Sequence, residues 1–289
     1  MTGVKIVSDS TFDLPVPLVE EYNIGILPAN IIFDEEVKQQ YVDITTEEFY
    51  RRLIEEDVVP TTGVPPPRRF KTVYDQALEE SDEVVVFCLS SKLSGMFATA
   101  TMVANRFFDE RITVVDSRCT TLQMGLIVLE AAKKAKEGLS KPELLEYISE
   151  FLIPNAQAMA GAGTLKYLQR SGRVSRIASL VGEVLHLKPL LRFEDGEIIS
   201  PGKVRGSEGL FELLQKFAQH ITRRKKTETA FVVHSRNREK AEELLSYFRK
   251  LTNAPQEIFI GEIGSVVGTH IGPGLLGITW IGDYQEDWF

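Results

Sequence analysis

Cysteine is nearly absent from this 289-residue chain. Cys88 and Cys119 stand alone, and neither has a second cysteine or a histidine at ligand spacing. That excludes a disulfide scaffold and a zinc ribbon, and leaves small core residues or free thiols of a reducing compartment. Histidine is scarce too, and His186, His220, His234 and His270 share no metal-binding spacing, so no metal is expected. No apolar run approaches the length needed to cross a bilayer, so stable membrane insertion is not expected. The first residues lead straight into a strand-like Val4-Lys5-Ile6-Val7 without a signal-like stretch, and the expected location is cytoplasmic.

Positive charge is the minority sign. With 33 Lys and Arg against 41 Asp and Glu, the formal charge of -8 argues against a nucleic-acid binder. Familiar catalytic signatures are missing as well. No G-x-S-x-G elbow occurs, so a hydrolase serine of the α/β type has no signature. Gly161-Ala162-Gly163 lacks the third glycine of a dinucleotide fingerprint, and the stretch from Gly196 to Lys203 has the wrong spacing for a phosphate-binding P-loop. Neither a nucleotide nor any other cofactor has a positive claim.

What remains is an ordinary soluble composition, 43% hydrophobic and 26% charged, on a chain long enough for two domains sharing a cleft. The stretch from residue 83 to 107 sets the pattern. Residues 84–89 form a nearly continuous apolar run suited to a strand buried on both faces, and from Leu93 the apolar positions recur at helical steps. Between them lie Ser90, Ser91, Ser94 and Gly95. Each serine is first of all a helix cap. The same arrangement recurs elsewhere, however. Strand 4–7 ends in Ser8-Asp9-Ser10-Thr11, and strand 112–115 ends in Asp116-Ser117 ahead of an apolar helix at 122–135.

Alternating strands and helices indicate a parallel, doubly wound sheet, with right-handed crossovers that place all these ends on one rim. Ligands of such sheets sit at that rim, where helix amino-termini favour an anionic head group. Residues 24–33 read as a further strand, and Thr45-Thr46-Glu47-Glu48 as a capping box. Thr61 and Thr62 precede the rigid Pro65-Pro66-Pro67 and a helix, again as hydroxyls near a helix start.

The composition changes near Pro154, which gives an N-terminal domain over 1–157 and a C-terminal one over 158–289. The second contains Asp195-Gly196 between apolar runs, a hairpin turn that implies antiparallel sheet. Its basic residues, among them Lys166, Arg170, Arg173, Arg176, Lys203 and Arg205, suit either a solvated face or an acidic or phosphate-bearing partner. The glycine-dense 261–274 requires close backbone approach, and His270 is the one histidine set in such a loop. Unaided, the residues describe a two-domain α/β protein with a hydroxyl-rich cleft.

Taken together, the motifs resemble the DegV family of bacterial proteins. The resemblance rests on Asp9-Ser10-Thr11, Thr61-Thr62 with the prolines, Leu89-Ser90-Ser91-Lys92-Leu93-Ser94-Gly95, Val115-Asp116-Ser117, Arg170-Ser171-Gly172-Arg173-Val174-Ser175, Lys188-Pro189, Gly202-Lys203-Val204-Arg205-Gly206 and His270-Ile271-Gly272-Pro273-Gly274. It implies an inter-domain tunnel for one long-chain fatty acid, the only bound group expected. It also implies presentation of the carboxylate to a separate ATP-binding fatty acid kinase subunit for acyl-phosphate formation. Away from that partner, the expected form is a monomer.

By the same resemblance Thr62 and Ser94 hold the carboxylate, with Ser91, Thr61 and His270 beside them. Arg205 and His270 serve the head group and phosphoryl transfer, and Arg170 and Arg173 dock the kinase. This sequence departs from the family pattern at Thr62-Gly63-Val64, where Ser-Gln-Pro is common, and at Ser171, where glycine is common. The protein itself is expected to be a carrier without catalytic residues. The competing reading is a hydrolase of a small ester or acyl substrate, with Ser94 as nucleophile, His270 as base and Asp9 or Asp116 as orienter.

Overall fold

The computed structural model describes residues 3–56, 58–164, 166–172 and 187–288. Its first half opens with β1 (Val4–Asp9), a single 3₁₀ turn (Ser10–Phe12) and α1 (Val16–Glu21). Three short strands follow, β2 (Gly25–Leu27), β3 (Asn30–Phe33) and β4 (Glu36–Gln39), then α2 (Thr46–Glu55) and β5 (Thr61–Gly63). Next come α3 (Pro67–Glu80), β6 (Glu83–Cys88), α4 (Met96–Phe107), β7 (Ile112–Asp116) and α5 (Thr121–Lys136). The order β2-β1-β6-β7 makes a wholly parallel sheet, as the alternation of strands and helices predicts.

Both faces of that sheet are covered, and the two-residue period of a strand divides the side chains between them. Val84 and Val86 pack with Phe70, Tyr74 and Ala77 of α3 and Ala100 and Val103 of α4. Val85 and Phe87 face the other way, onto Leu126, Ile127 and Leu129 of α5. α5 is buried without interruption from residue 122 to 132, and it touches β1 on one side and β8, β12 and β14 of the second sheet on the other. A helix apolar on all sides is the expected sequence for that position.

The second half contains α6 (Lys141–Glu146), which continues through a π turn (Tyr147–Leu152) into α7 (Ile153–Asn155), then β8 (Ala156–Gly161) and α8 (Lys166–Ser171). β9 (Leu187–Glu194), β10 (Glu197–Ile199) and β11 (Lys203–Arg205) precede α9 (Gly206–Arg224) and β12 (Lys225–His234). The described chain ends with α10 (Arg238–Arg249), β13 (Glu257–Glu262), α11 (Ser265–Ile271) and β14 (Leu276–Gly282). These strands form one mixed sheet in the order β10-β9-β8-β14-β12-β13, with β11 also on β9, and only β12 and β13 are parallel. The Asp195-Gly196 turn joins β9 to β10, as its sequence requires. Among the described residues no helix is long and apolar enough to cross a membrane.

Two sequence expectations are corrected. The apolar stretch 24–33 is not one strand: β2 stays in the parallel sheet, whereas β3 joins β4 and β5 in a separate antiparallel sheet. Pro28 lies at the break, where a missing N–H interrupts any ladder, and the next amide, Ala29 N, donates to Ser10 Oγ instead. The helix expected from Leu93 begins at Met96, because residues 90–94 first make a turn in which Leu93 N and Ser94 N donate to Ser90 O.

Gly125 shows how tightly α5 is seated. A Cβ there would lie 2.4 Å from the Phe12 carbonyl oxygen and 3.1 Å from Leu14 Cδ2. Alanine is the better helix former by roughly 1 kcal/mol, but backbone cannot yield as a flexible side chain can. Gly125→Ala is therefore expected to lower stability by about 1–3 kcal/mol. A urea midpoint equal to or above that of the unchanged protein would show that α5 can move.

Candidate functional site

The carboxyl ends of β1, β6 and β7 meet on one rim, as predicted. Asp9 at the end of β1 accepts from Leu89 N after β6 (2.6 Å) through Oδ2, and from Thr11 N (2.8 Å) and Thr11 Oγ1 (2.7 Å) through Oδ1. Ser90 N donates to Cys119 O (2.8 Å), and Ser117 N to Cys88 O (3.0 Å). Asp116 Oδ1 accepts from Arg118 N (3.0 Å) and Ser91 N (3.3 Å). The acid and hydroxyl clusters thus lace the loops together at the strand ends.

Above this rim lies a cavity of about 1340 Å³, part of it open to solvent. The first half contributes Thr62, Gly63 and Val64, the segment from Leu93 to Met96, and the first turn of α5. Leu168 of α8, Leu191 and Phe193 of β9 and Ile198 of β10 close it from the second sheet, together with Val233, Ile278 and Thr279. α11 supplies Val266, Val267, His270 and Ile271. Val64 (38% exposed) and the exposed Gly95 mark where it meets solvent. Aliphatic side chains dominate, with several hydroxyls, the His270 imidazole, the Gln123 amide and Arg192 among them, a composition suited to an amphiphile with a long apolar part.

The sequence-predicted site residues divide into those the cavity gathers and those it does not. Thr62 Oγ1 and His270 Nε2 are 2.8 Å apart, although 208 positions separate them in the chain. Both are half-buried lining residues, as is Ser94. Ser94 Oγ also accepts from Met96 N (3.2 Å), the first amide of α4, from one position ahead of the N-cap Gly95, so bracing the helix start and lining the wall coexist. Ser91 and Thr61 are exposed and do not line the cavity. Thr61 and Thr62 lie on β5, paired with Ile32 and Ile31 of β3, and the alternation of a strand turns only one of the two inward.

Arg205 is exposed on β11, opposite Leu187, and Arg170 is exposed on α8, two residues from the lining Leu168. Arg173 lies outside the described residues, as does His186. The hydrogen-bond partner of His270 Nε2 is Thr62 rather than Ser94, and the carboxylates of Asp9 and Asp116 bind backbone amides of the rim. His220 stacks on Trp288 with ring centroids 4.6 Å apart, and His234 is buried, its imidazole pushed down to about 4 chiefly by desolvation. Among the described residues no group of three or more His, Cys, Asp or Glu side chains could hold a metal. Cys88 and Cys119 are buried free thiols, both pushed up by burial and so kept protonated.

The sequence reading gave no site role to most of the apolar wall or to the polar residues Thr120, Thr121, Gln123, Arg192 and Thr279, and it placed Thr11 only in the rim cluster. Thr120 and Thr121 stand in the segment after β7 that ends in hydroxyls, a signal available in the sequence. Gln123, whose Nε2 donates to Ala156 O (2.9 Å), had none. Nor did the aliphatic residues of 263–278, which read as core until the fold turns them toward a void.

Two carboxyls beneath the site are unusual. Burial pushes Asp9 up to about 6 and Asp13 up to about 7, against a usual value of 3.8. For an acid held above its unfolded value, the folded state binds the extra proton, so stability falls as pH rises from about 4 through 7. Asp13→Asn removes one such group. Its loss of melting temperature between pH 5 and pH 8 should be smaller than that of the unchanged protein by a few degrees. Parallel pH profiles for the two proteins would refute the assignment.

Known proteins are similar to this chain over nearly its whole length. The model of the DegV family, described as uncharacterised, matches residues 3–283. A DegV domain-containing protein of Caldanaerobacter subterraneus is 34% identical over 278 residues, covering 96% of this chain and 98% of its own. A solved DegV family protein from Thermus thermophilus, described as binding fatty acid, superposes with a TM-score of 0.88 at 28% identity, covering 97% of this chain and all of that one. The fatty-acid-binding DegV of Bacillus subtilis gives 0.83 at 27% identity over 98% of this chain and all of its own. A stearic-acid-binding protein from Eubacterium ventriosum gives 0.82 at 25%, covering 96% and 98%.

Proposed function

The chain belongs to the DegV family, and on that premise we propose that it binds one long-chain fatty acid in the cavity between the two sheets. The acyl chain occupies the aliphatic interior, and the carboxylate sits at Thr62, Ser94 and His270. The observation that carries this reading is the Thr62–His270 pair, a polar clasp set into an otherwise mainly apolar wall beside Ser94.

Magnitudes favour binding driven by the tail. At about 0.8 kcal/mol per buried methylene, a chain of about fourteen contributes roughly 11 kcal/mol before the cost of association. A neutral hydroxyl bond nets only about 0.5–1.5 kcal/mol, somewhat more to a charged oxygen. Affinity therefore comes from the apolar wall, and Thr62 and Ser94 decide which end of the ligand faces the mouth.

In this reading the carboxylate is held for a separate ATP-binding kinase subunit, which forms the acyl phosphate for lipid metabolism. Arg205 serves the head group on the assembled pair, and Arg170 and Arg173 dock the kinase. The exposure of Arg170 and Arg205 supports roles at a contact between proteins more than roles inside the cavity. The N-terminal unit, residues 1–157, brings Thr62 and Ser94, and the C-terminal unit, 158–289, brings His270. No comparable observation favours a hydrolytic use of Ser94.

Native mass spectrometry of protein purified from a bacterial host, followed by extraction of the bound lipid, tests the first claim. The expected result is one acyl chain per protein. Ser94→Ala should keep most of its lipid while the carboxyl signal of a [1-13C] fatty acid broadens or shifts. Protein that arrives and stays lipid-free when offered palmitate or stearate would end the proposal. For the kinase role, Arg170→Glu should reduce acyl-phosphate formation by a partner kinase without changing lipid content. Equal turnover by that variant would remove Arg170 from the docking surface.

A further inference from the structure

Gln40 stands 230 positions before His270, contributes nothing to the cavity wall and is 3% exposed. Its amide nevertheless makes four hydrogen bonds. Nε2 donates to Ser10 O (2.7 Å) and to Asp13 Oδ1 (3.0 Å). Oε1 accepts from Val266 N (2.8 Å) and from Ser265 Oγ (3.3 Å). Both N–H donors and both lone pairs of the amide are therefore used. Reversing the amide would set its NH₂ against the Val266 N–H, which can only donate, and its oxygen against the Ser10 carbonyl, which can only accept, so its orientation is fixed by its surroundings.

These bonds join the turn after β1 to the first turn of α11. Val266 and His270 are four residues apart on α11, hence on one face, and both line the cavity. α11 has only seven residues, so a bond at Val266 N fixes the rise and rotation of the helix one turn from the imidazole. Tyr50 Oη donates to Ile263 O (3.1 Å) just ahead of it, and Gly268 leaves no room for a Cβ, which would lie 2.7 Å from Phe49 Cε1. The packing presses α11 inward, but aliphatic and aromatic contacts alone resist sliding poorly. Directional bonds set register.

We infer that Gln40 is a positioning residue of the site: by holding the amino-terminal turn of α11 on the turn after β1, it sets the distance between His270 Nε2 and Thr62 Oγ1. The inference rests on the acyl-carboxylate reading for its consequence in binding, but not for its consequence in geometry. Gln40→Met keeps the length and removes all four bonds. Gln40→Glu keeps one oxygen toward Val266 N and Ser265 Oγ, while its second oxygen replaces the amide nitrogen and retains a donor toward Asp13 only when the two carboxyls share a proton.

The test compares ligand-free and [1-13C]palmitate-loaded protein by NMR. The His270 ring-nitrogen signals of Gln40→Met should move toward those of Thr62→Val, in which the hydroxyl partner is removed directly. Palmitate affinity should fall by about three- to tenfold, the worth of one head-group hydrogen bond. Gln40→Glu should lie between, within about threefold of the unchanged protein, since part of the directional bonding survives.

A folded Gln40→Met with unchanged His270 signals and affinity would make Gln40 a plain core residue. Should that variant not fold, Gln40→Glu decides, and unchanged His270 signals there overturn the inference. Unchanged protein that takes up no palmitate would count against the acyl reading alone, because the ligand-free His270 signals still judge Gln40.

Discussion

The site depends on one close contact, the seating of α11 against elements from the opposite end of the chain. Gly268 admits Phe49 and Tyr50 of α2 to distances that any Cβ would forbid, and Gly272, at a φ of +69°, turns the chain away beneath Tyr167. A left-handed φ is inexpensive only for glycine. Those two positions let a short helix lie flat on the first half, which brings His270 to Thr62. The glycine density of 261–274 is thus a packing requirement with a chemical consequence. The backbone approaches closely so that one imidazole can cross from the second sheet to a hydroxyl on β5.

Much of the architecture is legible in the sequence because it is local. The continuous apolar run of β6, the apolar α5 and the Asp195-Gly196 hairpin turn each follow from residues within a few positions of one another. The helix cap at Thr45 is of the same kind, with Glu48 N donating to Thr45 Oγ1. The rim is legible for a second reason: three strand ends carrying acids and hydroxyls must converge if the strands are parallel and the crossovers right-handed. Where the sequence misled, a distant partner decided. Residues 24–33 are apolar enough for one strand, yet the break at Pro28 lets β3 leave the parallel sheet and pair with β5. That move puts Thr62 in a strand rather than a loop, and the strand's alternation turns Thr62 inward and leaves Thr61 in solvent.

The cavity itself was the least legible feature. An aliphatic side chain facing a void has the same sequence signature as one facing a core, because both are withdrawn from water. Val266 and Ile271 of α11 and Ile278 of β14 satisfy the same periodicities whether or not a neighbour fills the space before them. Only the family resemblance carried that information, since it reports which residues serve a ligand without requiring the periodicity to reveal it. Resemblance also gave Thr62, Ser94 and His270, which the fold gathers, alongside Ser91 and Thr61, which it turns outward. A motif names a neighbourhood; the strand or turn beneath it selects the side chain.

Ser90 shows how a residue can be essential to the cavity without touching its contents. Its sequence role is that of a cap or ligand hydroxyl, yet its Oγ donates to Gly196 O (2.6 Å) at the tip of the β9–β10 hairpin and accepts from Lys92 N (3.3 Å). Lys92 lies 3.7 Å from Glu197 in the same hairpin, a long contact whose lysine is exposed and which is therefore worth little by itself. The Ser90 bond is different because it is buried, where an unmet hydroxyl or carbonyl costs about 1–3 kcal/mol. The hairpin belongs to the second sheet and the rim to the first, so this bond ties one sheet to the other. Leu191, Phe193 and Ile198 hang from the hairpin into the cavity. Their position follows from where its tip is tied. Neither sheet alone defines the volume: one apolar core runs from Val85 and Phe87 through α5 to Phe231 and Val233, and Leu191 and Val233 belong both to it and to the cavity wall. The shape of the void is fixed by a few polar ties across the gap, Ser90 to Gly196 at one place and Gln40 to Val266 at another.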